Sequence, residues 1–415
     1  MAPSKLALRV SGYVPAAAIM LVAGVAGWVA TTALQQDFAA YWVAGAARRA
    51  GLDPYVNQVG GPDAPALWDG VAVFAHSRFL YPPVVAELFR ALALVPYAVA
   101  KAVFTGLLVA SWAVASFWAA RPVGGARGVA LAFAAGGFCY PLYLGLERGQ
   151  VDVLVLLLLF VAFNPRARPL AAGAALAVAA AFKPGLVGAF VVLAALGRVR
   201  VVAAALAGLA AVALACVAIS GPGLTREYAT VVLPRAALYG EGGDESMLLP
   251  ADRLAAHADA LQAGSADLDG RAYRLTAWEG PASASLPRLL APDQPTRRAT
   301  RLPALVLFAL LAAAARLVRR RGRPQAREQS LLWATAVACV IASPAGWVMG
   351  LVVALPIVPL LASARGVRGV VRALLGLALL GCFCPPPFVG WAAGAGTLLV
   401  AAAVALSLSP SPEPP

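Results

Sequence analysis

The sequence predicts an all-α membrane protein, a polytopic bundle of about 10–12 transmembrane helices. Hydrophobic residues make up 61% of its 415 residues and charged residues only 13%, against about 25% in soluble domains. Apolar runs of bilayer length recur along the chain, beginning with 13–34. These observations exclude a soluble globular protein, and we expect 1–415 to form a single integral membrane domain.

The apolar runs define the spans in order. Several runs are shorter than the roughly 17 residues that a full crossing needs, and 169–182 with 184–197 are compatible with one bent or broken helix. Ala and Gly dominate many runs, which predicts close helix contacts in lipid. The candidate spans are 12–34, 92–119, 128–146, 150–163, 169–182, 184–197, 200–219, 302–318, 329–342, 344–363, 370–388 and 390–408.

The basic residues predict the orientation. With the N-terminus inside, every basic cluster of a short loop falls on the cytoplasmic side of a plasma membrane, as the positive-inside rule requires. The net charge of +14 therefore indicates anionic lipid as a partner and disfavours nucleic acid. The clusters are Lys5/Arg9, Arg121/Arg127, Arg166/Arg168, Arg198/Arg200, the run 316–327 and Arg365/Arg368/Arg372.

Two long segments, 35–91 and 220–301, then lie on the outer face. Both are rich in Trp, Tyr, Pro, Gly and acidic residues. A transport bundle has little need for two such segments, whereas an enzyme that works on the outer face does. We therefore expect chemistry at the periplasmic or external side.

Asp37 is the first carboxylate of the chain, and it follows directly on the first apolar run. A charge deep in hydrocarbon costs roughly 2.5–3.5 kcal/mol, so a carboxylate at this border is a functional candidate. It is suited to act as a general base. The structural alternative is an Asp that caps the N-terminus of an interfacial helix, and the sequence leaves both open.

Further polar islands interrupt the apolar runs. Arg78 precedes Tyr81-Pro82-Pro83, where the prolines fix an extended turn. Arg148 can bind a phosphate, while Gln150 and Asp152 can hydrogen-bond a sugar. The structural alternatives are an ordinary turn for the first island and a polar hairpin with a local Glu147–Arg148 pair for the second.

Three more islands follow. Lys183 precedes Pro184, so it either reaches back to the interface or meets an anion beside a helix break. Glu245 and Ser246 lie in a polar, Gly-rich stretch that can contact an acceptor. Trp347 closes Ser343-Pro344-Ala345-Gly346-Trp347, at a helix start. Each of these also fits a plain loop or cap. No metal-ligand spacing is present, and nothing in the sequence calls for a cofactor.

These islands, in this order, resemble glycosyltransferase family 87, the polyprenol-phosphate-sugar-dependent transferases of the GT-C class, whose members include actinobacterial mannosyltransferases. The resemblance covers roughly 35–350. The matching positions are Asp37 and Tyr41 of an Asp-x-x-x-Tyr element, Tyr81 to Pro83, Gly149 and Gln150 with Asp152 in place of Asn, Lys183-Pro184, a loose echo of Asn-x-Ser at Glu245 and Ser246, and Ser343 to Trp347.

The resemblance implies a site and a reaction. Asp37 would be the catalytic base, Arg148, Lys183 and Arg78 would bind the donor phosphate, and a further set would bind sugar or acceptor. A mannose-like hexose would pass, with inversion, from a polyprenyl-phosphate sugar to a lipid- or glycan-linked hydroxyl. The sugar- or acceptor-binding set is Tyr41, Tyr81, Gln150, Asp152, Glu245, Ser246 and Trp347.

Two departures from the family pattern bear on substrate identity. The family often carries His just after the Trp, and Val348 and Met349 stand there instead. Asp152 puts a carboxylate where the family has an amide. A secondary transporter, or a flippase or scaffold of envelope-polymer assembly, remains the alternative, and neither needs a base at Asp37.

Overall fold

A computed structural model describes residues 5–33, 35–55, 79–234, 283–290, 297–322, 325–343, 346–363, 369–388 and 390–408. Most of these residues are helical, and one isolated antiparallel bridge joins Ser283 to Trp347. The predicted all-α membrane bundle is therefore confirmed.

The helices are numbered here in chain order. They are α1 Lys5–Thr32, α2 Gln36–Arg49, α3 Pro83–Phe89, α4 Tyr97–Ala120, α5 Gly125–Gly137, α6 Tyr140–Arg148, α7 Asp152–Phe163, α8 Pro169–Phe182, α9 Gly188–Ala195, α10 Val199–Ala215, α11 Pro222–Glu227, α12 Leu286–Leu290, α13 Arg297–Arg320, α14 Gln325–Ile341, α15 Ile357–Ser363, α16 Gly369–Phe383 and α17 Trp391–Leu408. Short 3₁₀ helices cover Leu92–Leu94, Pro184–Val187 and Val348–Ala354, and π-helical turns cover Cys216–Ser220 and Tyr228–Val232.

Within the described ranges, five helical stretches are long and apolar enough to cross a membrane. They are Tyr13–Thr32, Tyr97–Ala120, Val199–Ser220, Arg301–Arg320 and Trp391–Leu408. The pair α5 and α6 adds a sixth if it is a single span bent by 55°. Most of the other predicted spans are shorter apolar helices, such as α7, whose 12 residues extend about 18 Å against a hydrocarbon core of about 30 Å.

Prolines explain where the helix ends differ from the predicted spans. α4 begins at Tyr97 rather than at 92, because Pro96 disfavours a helical residue before it. α16 ends at Phe383 rather than at 388, because three prolines, 385–387, follow. The predicted span 344–363 is a 3₁₀ helix followed by α15, and Pro356 stands at that junction.

The predicted span 128–146 is bent in the same way. α5 ends at Gly137 and α6 carries Pro141 in its first turn, a position that tolerates the missing N–H. The bend leaves the Gly137 carbonyl oxygen to accept a hydrogen bond from the Tyr143 hydroxyl at 2.5 Å. At Lys183 the chain also leaves the helical path, so α8 and α9 are separate helices with a 3₁₀ turn between them.

The chain runs back and forth between two ends of the bundle. At one end, α1 leads into α2, and the Lys101 ammonium at the start of α4 donates to the Ala33 carbonyl oxygen at 2.7 Å. At the other end, Arg198 Nε lies 2.5 Å from Glu328 Oε1, and Gln329 Nε2 donates to the Phe163 carbonyl oxygen at 2.7 Å. We call these the Asp37 end and the basic end.

The two long segments predicted as outer loops hold short helices in their described parts. α2 and α3 lie in 35–91, and a 2.7 Å contact from Arg48 Nε to Glu87 Oε1 joins them. α11 and α12 lie in 220–301.

Small residues bring α8 and α10 together. A Cβ added at Gly173 of α8 would lie 2.4 Å from the Ala204 Cβ of α10, and one at Gly208 of α10 would lie 2.7 Å from the Ala177 Cβ of α8. Backbones can approach this closely only where side chains are absent or small, as in other membrane helix pairs. The Ala- and Gly-rich composition therefore acts here as a packing surface.

We predict that Gly173→Val lowers the thermal unfolding midpoint of the detergent-purified protein. Overpacking a close contact typically costs about 1–3 kcal/mol. Gly106→Val is the matched control, since a Cβ at Gly106 in α4 meets nothing within 4 Å. Equal midpoints for the two variants would contradict the close packing of α8 on α10.

Candidate active site

Asp37 lies in the first turn of α2 and is only 5% exposed. The N-cap of α2 is Gln35, whose side chain makes no capping hydrogen bond. The alternative of Asp37 as a helix N-cap is therefore wrong. Its carboxylate instead points to another helix, while its place in the first turn is favourable for a negative charge.

Gln35 fixes the direction in which α2 starts. Its backbone has φ 55°, a left-handed conformation that is uncommon for residues other than Gly. Its buried side-chain amide donates to Thr105 Oγ1 at 2.8 Å and to the Leu146 carbonyl oxygen at 2.9 Å. Gln35 thus ties the start of α2 to α4 and to the last turn of α6.

Gly149 ends α6 and lets it approach α2. Gly149 has φ 70°, and the Gln150 N–H donates to the Gly145 carbonyl oxygen at 2.8 Å, as in a Schellman cap. A Cβ at Gly149 would lie 2.5 Å from the Phe38 Cβ. Glycine is therefore required both for the turn and for the contact that brings Arg148 beside Asp37.

Arg148 and Asp37 form a two-pronged ion pair across 111 residues of sequence. Arg148 Nε donates to Asp37 Oδ2 at 2.7 Å, and Nη2 donates to Oδ1 at 3.1 Å. The two side chains are 13% and 7% exposed. The guanidinium carbon also lies 5.2 Å from the centre of the Trp347 ring, within cation–π range. Arg148 therefore pairs with Asp37, and not with Glu147 as the hairpin alternative required.

A second ion pair joins the first residue of α7, Asp152, to Lys183, the residue that follows the end of α8. Lys183 Nζ is 3.2 Å from Asp152 Oδ1 and donates to Gln150 Oε1 at 3.4 Å. The Lys183 side chain is 29% exposed, more than that of Arg148. Asp152 Oδ2 is buried and has no hydrogen-bond partner among the described residues. This pair thus offers an accessible cation and an unused carboxylate oxygen.

Two tyrosines connect the ion pairs. The Tyr41 hydroxyl donates to Tyr81 Oη at 2.7 Å and lies 3.3 Å from Gln150 Oε1. Burial raises the pKa of Tyr41 well above its usual value, and the neighbouring Tyr81 and Asp37 raise that pKa further. Burial also raises the pKa of Tyr81, although Lys183 partly offsets this. Both phenols therefore stay neutral at physiological pH and can donate hydrogen bonds.

Trp347 joins the later part of the chain to this cluster. The Ala284 N–H donates to the Gly346 carbonyl oxygen at 2.8 Å, so the end of the second long segment returns to the site. Val348 and Met349, which stand where the family often has His, are both 1% exposed. Neither of these two residues can carry a charge, so the cation that contacts Trp347 is Arg148.

The sequence model of glycosyltransferase family 87 matches residues 79–344, more than half of the chain. The chain belongs to glycosyltransferase family 87. No curated protein and no solved structure matches it significantly. The family makes the chain a membrane glycosyltransferase, in place of the transporter or flippase that the sequence left open. The match spans Tyr81, Arg148, Lys183 and Ser343, whereas Asp37 lies before it.

The structure brings most of the candidate residues of this glycosyltransferase into one connected cluster. Its members are Asp37, Tyr41, Tyr81, Arg148, Gln150, Asp152, Lys183 and Trp347. The candidates Arg78, Glu245 and Ser246 lie outside the described residues. His, Cys, Asp and Glu form no group of three that could hold a metal ion in the described part of the chain.

Sequence reasoning missed the residues that orient the cluster. Gln35 and Thr105 hold α2 in place, and Tyr55 donates from its hydroxyl to the Tyr81 carbonyl oxygen at 2.8 Å. The available signal was a polar side chain in or beside an apolar run, which must find a partner when it is buried. The sequence therefore indicates that Gln35 and Thr105 each need a hydrogen-bond partner, but it does not show which residue that partner is.

We predict that Gly149→Ala destabilises this site more than its backbone conformation alone explains. A left-handed backbone costs a residue other than Gly about 1–2 kcal/mol, and the added Cβ also meets Phe38. Gly51→Ala is the control, because Gly51 has φ 72° but open space around it. Thermal unfolding in detergent should show the larger loss for Gly149→Ala, and equal losses would refute the close α2–α6 contact.

Proposed function

We propose that this glycosyltransferase moves a mannose-like hexose, with inversion, from a polyprenyl-phosphate sugar to a lipid- or glycan-linked hydroxyl. The observation that carries the proposal is the buried Asp37–Arg148 pair, with the Lys183–Asp152 pair in the same hydrogen-bonded cluster. Such a cluster combines what this transfer needs, namely a carboxylate to take a proton and cations to receive a phosphate leaving group.

Asp37 is the proposed base. Arg148 holds the Asp37 carboxylate through both oxygens, at 2.7 and 3.1 Å. In the proposed reaction, the acceptor hydroxyl donates a hydrogen bond to one of these oxygens as Arg148 turns toward the phosphate. The acceptor oxygen then attacks the anomeric carbon, its proton passes to Asp37, and the carbon–oxygen bond to phosphate breaks with its electron pair leaving on polyprenyl phosphate.

Arg148 links the two halves of this reaction. The donor is a phosphodiester with one negative charge, and the leaving polyprenyl phosphate gains a second. That growing charge competes with Asp37 for the guanidinium, which has five N–H donors. As Arg148 turns toward the phosphate, it stabilises the Asp37 anion less, so the proton transfer to Asp37 becomes more favourable when it is needed.

Lys183 is the second proposed phosphate ligand. An ammonium has three N–H donors, and contacts to Asp152 and Gln150 use two of them. Its partial exposure leaves the third donor accessible to a phosphate oxygen. Arg78 stays a prediction for the same role, as the basic residue nearest in sequence to Tyr81.

The sugar and the acceptor would be held by the hydroxyl and amide groups of the cluster. Tyr41, Tyr81 and Gln150 provide neutral donors and acceptors, and Asp152 Oδ2 provides an unused acceptor. The indole face of Trp347 suits the apolar face of a sugar ring. Glu245 and Ser246 remain proposed acceptor contacts.

We further propose that the site faces the periplasm or exterior of a plasma membrane. The support is that charge is distributed unequally between the ends of the bundle. Arg121, Arg166, Arg198 and Arg320 all lie at the basic end, opposite to Asp37. Under the positive-inside rule that end is cytoplasmic.

We predict that Asp37→Asn abolishes transfer from a labelled polyprenyl-phosphate mannose. Loss of a general base typically costs a factor of roughly 10²–10⁴ in rate. The single variant leaves Arg148 buried without its partner carboxylate, which costs about 3–5 kcal/mol of stability. We therefore pair it with Asp37→Asn/Arg148→Gln, which removes both charges together.

The double variant separates catalysis from folding. We expect it to purify in wild-type amounts, with an unfolding midpoint closer to wild type than that of the single variant, and to remain inactive. A folded double variant with wild-type turnover would reduce the Asp37–Arg148 pair to a structural ion pair.

We predict that Lys183→Gln raises the KM for the donor by about tenfold, equivalent to about 1.4 kcal/mol, and changes the acceptor KM little. Arg90→Gln is the matched control, because Arg90 is an exposed cation at the Asp37 end, outside the cluster. Initial rates at varied donor and acceptor concentrations give both constants. Equal donor effects in the two variants would point to general charge attraction and against a specific phosphate contact.

A further inference from the structure

A cleft of about 810 Å³ lies between α9 and α13, away from the Asp37 cluster. One part of its lining is apolar and the other is strongly basic. The lining residues are Val191, Ala194, Ala195, Ala312, Arg316, Arg319 and Arg320.

The cleft lies at the basic end of the bundle, where α9 and α13 both finish. The Arg198–Glu328 pair holds the turn after α9 to the start of α14. Gly197 in that turn lies against Arg319, since a Cβ added there would be 2.9 Å from the guanidinium carbon. α7 separates the two ends by about 18 Å, so this cleft is distinct from the proposed transfer site.

The three arginines form one cationic surface. Positions 316, 319 and 320 are three and four residues apart, so they share one face of α13. All three are exposed. Among the residues that the structure describes, no carboxylate pairs with Arg316, Arg319 or Arg320. Like charges at this spacing repel each other, so a bound anion stabilises this part of α13.

The apolar side of the cleft is exposed along α9. Val191, which lines the cleft, is 50% exposed, and the neighbouring lining residue Ala194 is exposed as well. An inorganic anion would use only the arginines and leave the apolar lining uncovered. A ligand with an anionic head and a hydrocarbon tail uses both.

We propose that this cleft binds an anionic phospholipid. The phosphodiester head accepts hydrogen bonds from the three arginines, and the upper part of one acyl chain packs on Val191, Ala195 and Ala312. Basic pockets between membrane helices on the cytoplasmic side provide this combination. Binding uses none of the residues at the Asp37 end, so it can be measured without a transfer assay.

The test titrates the full-length protein, purified in neutral detergent, with phosphatidylglycerol and follows the thermal unfolding midpoint. We expect phosphatidylglycerol to raise the midpoint, whereas phosphatidylcholine or inorganic phosphate leaves it unchanged. In Arg316→Gln/Arg319→Gln/Arg320→Gln the apparent affinity should fall on the order of 100-fold, since each basic residue near an anionic surface contributes about a factor of five.

The matched control is Arg127→Gln/Arg166→Gln/Arg168→Gln. It removes three exposed arginines at the same end but outside the cleft, and we expect it to keep wild-type affinity. Ala312→Trp fills the apolar side without changing charge, and we expect it to weaken phosphatidylglycerol binding even if the triple variant fails to fold.

Three outcomes would overturn the proposal. Equal losses in the two triple variants would indicate general surface attraction. Full stabilisation by inorganic phosphate would indicate an anion site without a lipid. Unchanged phosphatidylglycerol binding by a folded Ala312→Trp variant would show that the cleft does not hold the acyl chain.

Discussion

The ion pair between Asp37 and Arg148 is the contact on which the rest of this structure depends. It joins the first turn of α2 to the last turn of α6, 111 residues apart in sequence. Two charges taken out of water are stable only when they are paired in good geometry and their remaining groups are satisfied. The geometry of the pair is set by Gln35, Gly149 and Trp347, because each of them limits where one of the two charged groups can lie.

The same physical rule explains why the neighbouring groups come in matched pairs. Lys183 is balanced by Asp152, and the neutral Tyr41, Tyr81 and Gln150 connect the two ion pairs. With two cations and two carboxylates, the cluster has no net charge before a ligand arrives. In the transfer that we propose, a phosphate-bearing donor brings the negative charge that rearranges the pairs, so a closed ion pair and a base at Asp37 are compatible in one site.

The structure shows what the residues that depart from the family pattern do in this protein. A carboxylate at Asp152 forms an ion pair with Lys183, which an amide could not do. Val348 and Met349 are buried beside α6, so the indole of Trp347 faces a guanidinium there. Both cations of the cluster, Arg148 and Lys183, are therefore paired with carboxylates. In the reaction that we propose, the donor phosphate competes with those carboxylates for both cations.

The sequence by itself determined the membrane class, the approximate positions of the spans and the family. Long apolar runs and basic clusters are local features whose cost in a bilayer does not depend on the fold. It also marked Asp37, Arg148 and Lys183, because each interrupts or borders an apolar run. Only the tertiary structure decided that Arg148 pairs with Asp37 rather than Glu147, that Asp37 caps no helix, and that Gln35 and Gly149 set the geometry. Those outcomes depend on which helix ends meet, and the meeting of α2 with α6 depends on packing between segments that are remote in sequence.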